Sequence, residues 1–328
     1  MDYKMKDGVK MSRIALGTWA IGGFNWGGTD ERRSVKTIKS AVEKEICVID
    51  TAPAYGFGKS EEIVGRAIKD MDRENIVIST KVGIDWDGKK TFRNSSGERI
   101  EKEIEDSLKR LGTDHVDVYY VHWPDPLVDF RETARTMKDL YNSGKIRAIG
   151  VSNYNVDQME RFRTEAPIHF CQPPYNIFER EIEKNGIMDY CRENGIGMMT
   201  YGALCRGLLS GKMKKDREFK GDDLRNIDPK FQEPRFDQYL EAVDRIEKLA
   251  SDRYGKGILE FAVRWILDRG VGTAIWGARK PSQLKPIDDI WDFRIDEDDM
   301  KEIDKILDET IEDPVGPEFM APPNRGNA

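Results

Sequence analysis

Asp50, Tyr55, Lys81 and His122 are the residues of this 328-residue chain whose types and placement suit proton chemistry on an oxygen atom. Asp50 closes the apolar run "ICVID", and Tyr55 follows five residues later in the small-residue stretch "TAPAYGFG". Lys81 ends the run "IVISTK", and His122 follows "VDVYYV". Taken singly, each has an ordinary reading: a cap, an amphipathic loop residue, a lysine reaching for solvent, a packed imidazole. Together they form an acid–base group. A tyrosine at its reference pKa of about 10 is a poor proton shuttle at neutral pH. A lysine ammonium ~4 Å away is worth about 4 kcal/mol at an effective dielectric near 20. That lowers a phenol pKa by up to roughly three units, less what desolvation takes back. Asp50 would hold Lys81 charged and in place, and His122 would donate a hydrogen bond to the reacting oxygen. Such a group can give a proton to, or take one from, an alcohol or carbonyl oxygen. It supplies no electrons, so a carbonyl reduction also needs a hydride donor and a cofactor site.

Short β-rich runs alternate with amphipathic helical segments along the chain, and these must position the group. The runs are "IALGTW" (14–19), "ICVID" (46–50), "IVIST" (76–80), "VDVYYV" (116–121), "IRAIGVS" (146–152), "IHFCQ" (168–172), "IGMMTY" (196–201) and "VGTAIW" (271–276). Most are continuously apolar, as parallel strands buried on both faces require. Helical stripes follow them: Val35, Ile38, Ala41 and Val42; Ile63, Val64, Ala67 and Ile68; Ile100, Ile104, Leu108 and Leu111. The third stripe is expected to open on a capping box, Ser95-x-x-Glu98, and to end at Gly112. Asn155-x-x-Gln158 opens another helix. Eight such units predict an α/β fold, a (β/α)8 TIM barrel, since right-handed crossovers leave few other topologies. Residues 1–328 are read as one barrel domain. Asp7-Gly8 predicts an N-terminal β-hairpin plugging the barrel floor. Two extra helices are expected at about 237–254 and 296–308, before an irregular Pro-rich tail at about 311–328. Active sites in this fold lie at the C-terminal ends of the strands, where all four candidate residues fall.

Composition narrows the partners. Lys and Arg total 53 against 60 Asp and Glu, for a net charge of −7. That argues against a nucleic-acid surface or a basic membrane face. The basic stretch "KMKKDREFK" (212–220) reads as a solvated loop. No segment has the length and apolarity of a signal peptide or a spanning helix. Cys47, Cys171, Cys191 and Cys205 form no CxxC pair and read as reduced residues of a cytoplasmic protein. His115 and His169 read as structural, and three scattered histidines argue against a metal site.

The chain resembles an aldo-keto reductase along essentially its whole length, from "LGTW" to "GARKPSQL". The motifs that carry the resemblance are "DTAPAYGFGKSEEIVGRAI", "GKIRAIGVSNY" and "TYGALCRGLLSGK". It is most similar in pattern to the bacterial stress and inositol-utilisation type NADPH-dependent reductases. The resemblance implies that Asp50, Tyr55, Lys81 and His122 are the catalytic tetrad. No G-x-G-x-x-G fingerprint is present; the family instead lays a nicotinamide cofactor across the barrel mouth. By family position, Ser152, Asn153 and Gln172 would bind the carboxamide, Tyr201 would stack on the ring, Thr18 and Trp19 would lie near the nicotinamide ribose, and Asp50 would be a further cofactor-binding residue. Gly202, Leu204, Arg206 and Gly207 would wrap the pyrophosphate. Gly277, Ala278, Arg279, Lys280 and Gln283 would take the adenosine end, where two adjacent cations favour NADP(H), with NAD(H) as the alternative. Three positions depart from the family: Pro286 and Ile287 replace a common Glu-Asn pair that contacts the adenine, and Glu45 stands where glycine is usual.

The expected activity is therefore reduction of an aldehyde or ketone with NADPH, with the proton coming from Tyr55. The same machinery would serve a sugar or alcohol dehydrogenase in reverse. A different class, a cofactor-binding redox-sensing regulatory subunit, predicts tight cofactor binding with very slow turnover. Substrate walls are expected from Phe24, Asn25, Trp26, Trp86, Trp123 and the tail, around a small carbonyl or alcohol compound. The chain is expected to be a monomer or a weak homo-oligomer.

Overall fold

In the computed structural model, which describes residues 3–6, 8–88 and 90–326, eight parallel strands close into a barrel. An antiparallel hairpin, β1 (Tyr3–Lys6) and β2 (Val9–Ser12), precedes them. Asp7 of the expected turn lies outside the described residues. The barrel strands are β3 (Ile14–Gly17), β4 (Val48–Asp50), β5 (Val77–Asp87), β7 (Val118–Val121), β8 (Ile149–Ser152), β9 (Phe170–Gln172), β10 (Gly197–Thr200) and β11 (Thr273–Gly277). Their order is β4-β3-β11-β10-β9-β8-β7-β5, closed by pairing of β4 with β5. The ladders are shorter than the apolar runs that announced them. Trp19, for example, does not end a strand but begins a one-turn helix, α1 (Trp19–Gly22).

The strand period of two places the site. Val9 and Met11 of the hairpin pack into the barrel floor against Val48, Val77, Val118, Phe170 and Met199. Two residues further up the same inward rows stand Asp50, Ser79, Tyr120, Gln172 and Tyr201. The barrel is thus apolar below and polar at the mouth, row by row. Tyr120 fits because β8 carries Gly150 opposite it; a Cβ there would come within 2.3 Å of the Tyr120 ring.

The helices follow the expected stripes: α2 (Glu31–Glu43), α3 (Lys59–Ile68), α4 (Gly97–Leu111), α5 (Phe130–Asn142), α6 (Val156–Arg163), α7 (Ile187–Glu193) and α9 (Ile258–Asp268). The two extra helices are α8 (Arg235–Tyr254) and α10 (Glu297–Thr310). Asn155 and Gln158 form the reciprocal capping box of α6. At α4 the cap is Ser96, one residue later than expected. Ser95 is held by its backbone: its N–H donates to Asp125, and its carbonyl accepts from the Thr133 hydroxyl. The helix therefore starts after it. Gly112 ends α4 in the left-handed conformation, φ +68°. Glu45 adopts φ +61°, a conformation that glycine would reach without strain.

A second hairpin was not anticipated. β5 runs past Lys81 to Asp87 and turns back as β6 (Lys90–Asn94), an antiparallel hairpin standing above the barrel rim. The four cysteines are buried and unbonded to one another, and residues 212–220 are mostly exposed and irregular. Among the described residues no helix is long and apolar enough to cross a membrane.

Candidate active site

Asp50 and Lys81 face each other inside the barrel mouth because β4 and β5 are neighbours in register, with Asp50 beside Ser79. The Lys81 ammonium donates to Asp50 Oδ1 and Oδ2 at 2.9 and 2.8 Å and to the Thr51 carbonyl at 2.8 Å. Both side chains are buried. Asp50 Oδ1 also accepts from the Ser79 hydroxyl at 2.7 Å and from Gln172 Nε2 at 2.9 Å. A buried ion pair needs such additional donors to offset its desolvation.

Tyr55 lies over this pair, with Lys81 Nζ 5.0 Å from its ring centre. His122 stands edge-on to the same ring at 5.8 Å, and Trp19 stacks beside it at 6.0 Å. Burial raises the Tyr55 phenol well above its ordinary pKa, and the Asp50 charge adds to that. The expected lowering by Lys81 is therefore absent. All three Lys81 donors are directed at Asp50 and Thr51, so the phenol meets a nearly neutral ion pair and not an open cation. Burial first, and then the Lys81 charge, holds the His122 imidazole well below its usual pKa. Burial likewise lowers the Lys81 pKa, against the opposing pull of Asp50. At neutral pH the mouth thus presents a protonated phenol beside a neutral imidazole.

Tyr55 and His122 open into a cleft of about 120 Å³, lined also by Trp19, Phe24, Asn25, Ala54, Ile84, Thr91, Trp123, Ser152, Asn153, Gln172, Tyr201, Met320 and Pro322. A separate surface groove along Pro126–Arg131, Arg161 and Thr164 holds none of these acid–base groups. Ser152, Asn153, Gln172 and Tyr201 are linked: Tyr201 donates to Asn153 Oδ1 at 2.9 Å, Asn153 Nδ2 donates to Ser152 Oγ at 3.0 Å, and Ser152 donates to the Gln172 carbonyl at 2.7 Å. Asn153 holds φ +59°, which turns its amide toward the His122 carbonyl. These groups fit a nicotinamide. Gln172 gives its N–H to Asp50 and leaves Oε1 without a donor among the described residues, as a carboxamide N–H would need, and Tyr201 offers an aromatic face.

Other expected residues are brought close but used differently. Thr18 is buried, bonding the Asp50 carbonyl through both its N–H and its hydroxyl, and so anchors the strand and not the cleft wall. Trp26 and Trp86 stand outside the lining. Trp26 packs edge-on to Trp19 and beneath the Arg225 cation, while Trp86 lies between Phe57 and Arg99. Gly202 and Gly207 have left-handed φ, +79° and +99°, and Leu204 accepts from the Gly207 N–H, so the loop turns as its glycines suggested. Arg206 does not face out of that loop. It is buried against Glu179 (2.6 Å) and Asp228, and Lys230 joins the same cluster. Gly277 is exposed at the end of β11, followed by buried Ala278. Arg279 donates to the carbonyls of Trp26 (3.0 Å) and Gly28, while Gln283 Oε1 accepts from the backbone N–H groups of Arg279 and Lys280. Lys280 is exposed and forms no ion pair among the described residues. Ile287 is fully buried, so the departure from the family pattern there is a core side chain.

Sequence reading missed Ser79, Ile84, Thr91 and the buried carboxylates Glu179 and Asp228. Ser79 had a signal, being two residues before Lys81 and therefore on the same strand face. Ile84 and Thr91 come from the β5–β6 hairpin, whose cue was Asp87-Gly88.

Comparison with known proteins agrees with this geometry. The sequence model of the Aldo/keto reductase family matches residues 13–308. Aldo-keto reductase YhdN of Bacillus subtilis is 57% identical over 97% of this chain and 96% of its own. The NADH-specific methylglyoxal reductase of Escherichia coli is 35% identical over 84% and 89%. The structure of the glycerol dehydrogenase AKR11B4 from Gluconobacter oxydans superposes with a TM-score of 0.88, at 48% identity over 98% of this chain and 99% of that one. The chain belongs to the aldo/keto reductase family and is an NAD(P)H-dependent, carbonyl-reducing oxidoreductase.

Proposed function

We propose that this protein reduces a small aldehyde or ketone with NADPH, Tyr55 giving the proton to the carbonyl oxygen. The observation that carries the reading is the neutral Tyr55 phenol at the cleft, seated over the buried Lys81–Asp50 pair and beside a neutral His122. Ser152, Asn153, Gln172 and Tyr201 would hold the nicotinamide, the backbone around Gly202–Gly207 its pyrophosphate, and Lys280 the 2′-phosphate, with Arg279 bracing the loop through the carbonyls of Trp26 and Gly28. When bound, the cofactor supplies the hydride that the carbonyl carbon receives. The neutral His122 ring donates an N–H to the substrate oxygen and polarises it without competing as an acid. As the oxygen gains charge, Tyr55 transfers its proton, and the resulting phenolate is stabilised by the Lys81 ammonium beneath it. Asp50 keeps that ammonium charged against burial, and Ser79 keeps Asp50 in place. The 328 residues act as one unit in this scheme, because the tail residues Met320 and Pro322 share the cleft with the barrel residues.

The test is Tyr55→Phe. Reduction should fall by about 10²–10⁴-fold, the usual contribution of general-acid catalysis, while NADPH affinity, read by quenching of tryptophan fluorescence, stays within twofold. Wild-type turnover by the variant would overturn the role of Tyr55. Tight NADPH binding by the unmodified protein without turnover on any small aldehyde would replace the reductase reading with that of a cofactor-holding sensor.

A further inference from the structure

The C-terminal tail crosses the mouth of the barrel, and its composition limits how it can be fastened. Pro322 and Pro323 have no N–H to donate, so the tail docks there only through carbonyl oxygens and needs donors from elsewhere. Arg93, on β6, provides them. Its backbone N–H donates to the Pro323 carbonyl at 2.9 Å and its Nε to the Pro322 carbonyl at 2.8 Å. One guanidinium nitrogen, Nη1, turns instead to the Pro124 carbonyl at 3.1 Å, and the guanidinium carbon lies 5.5 Å from the ring centre of Trp123. Among the described residues no carboxylate forms an ion pair with Arg93, so this side chain works by direction and stacking and not by charge pairing. Thr91, two residues away on the same face of β6, lines the cleft directly.

Pro322 and Trp123 are both walls of that cleft, on opposite partners of one guanidinium. The far end of the tail is held independently, with Lys230 donating to the carbonyls of Val315 and Gly316. Near the other end Arg325 pairs with Asp125 at 3.3 Å. Between these anchors Arg93 is the joint that sets the spacing of the Trp123 wall and the Pro322 wall. We infer that Arg93 is a specificity-determining positioning residue: it decides the size of carbonyl substrate that the cleft holds against Tyr55 and His122. The inference rests on the carbonyl-reductase reading of this cleft.

The experiment compares the full-length protein with Arg93→Ala and Arg93→Lys on two substrates, a three-carbon aldehyde and a bulky aromatic ketone, with NADPH as reductant. Arg93→Ala should raise KM for the small aldehyde about tenfold with kcat within about threefold. Single pocket contacts discriminate in the range of roughly 10–200-fold. KM for the aromatic ketone should stay level or fall, so the ratio of the two kcat/KM values shifts at least tenfold. NADPH affinity should stay within twofold. Arg93→Lys keeps the charge but cannot hold two carbonyls and stack at once, so it should shift the ratio part of the way. In a cycle with Trp123→Ala, the second substitution should add little once the first is made, because both remove the same wall. An unchanged ratio in Arg93→Ala, or full additivity with Trp123→Ala, overturns the inference. If Arg93→Ala does not fold by circular dichroism, Arg93→Lys decides: a wild-type ratio refutes the role. Failure of the unmodified protein to reduce either substrate would instead overturn the reductase reading, and this inference with it.

Discussion

Replacing Lys81 by Met separates what the buried ion pair does for folding from what it does for the reaction. The ammonium makes three hydrogen bonds, two to Asp50 and one to Thr51, in a site where both partners are buried. Lys81→Met leaves the Asp50 carboxylate buried with Ser79 and Gln172 as its remaining donors. Breaking a buried pair from one side costs about 3–5 kcal/mol, because a charge is left without its partner. Removing both charges, in Asp50→Asn with Lys81→Met, should return most of that stability and land within about 1–2 kcal/mol of the natural protein. Catalysis should behave differently. Nζ lies 5.0 Å from the Tyr55 ring centre, and a unit charge at that range is worth about 3 kcal/mol to a phenolate at an effective dielectric near 20. A rate loss of about 10²-fold follows, and the double variant should recover part of it, because Asp50→Asn also removes the charge that opposes a phenolate. The assays are urea unfolding across pH 5–8 and single-turnover reduction of a small aldehyde. A Lys81→Met cost below about 1 kcal/mol, or a double variant as unstable as the single one, would refute the buried-pair argument.

Two other outcomes complete the set. His122 is buried in its neutral form, so the unfolded chain takes up a proton below its ordinary pKa while the folded protein does not. Stability should therefore be fully present above about pH 6.5 and fall as pH drops below it, by up to about 1.4 kcal/mol per pH unit from this group. His122→Asn should flatten that part of the urea-midpoint profile, and an unchanged slope would place the acid sensitivity elsewhere. At the adenosine end, Lys280→Ala should weaken NADPH more than NADH, by roughly tenfold for a lost phosphate contact. Arg279→Ala should weaken both, because its guanidinium holds the carbonyls of Trp26 and Gly28. Comparable losses of the two cofactors in Lys280→Ala would show that the 2′-phosphate is read by other groups.

The sequence by itself determined the architecture and the inventory of the site. Eight apolar runs separated by amphipathic stripes admit few arrangements other than a parallel barrel, and a strand's period of two then places Asp50, Lys81, Gln172 and Tyr201 above the apolar floor residues. The acid–base character of the four mouth residues was equally legible, because it depends only on residue type and on the strand end each one follows. What only the tertiary structure decided is how donors and charges are shared. Nothing local to "ISTKVG" shows that Asp50 and Thr51 take all three donors of Lys81, while burial keeps the Tyr55 pKa high where an open lysine would have lowered it. Nothing in "GALCRGLLSGK" shows that Arg206 turns inward to Glu179 and Asp228, residues 27 and 22 positions away. The hairpin was missed because β6 leans on the tail and not on the barrel core, so its apolar signal is weak. Hydrophobic period is a property of a segment. Electrostatic partnership is a property of what the closed barrel brings within about 3 Å, and it exists only once the chain has folded.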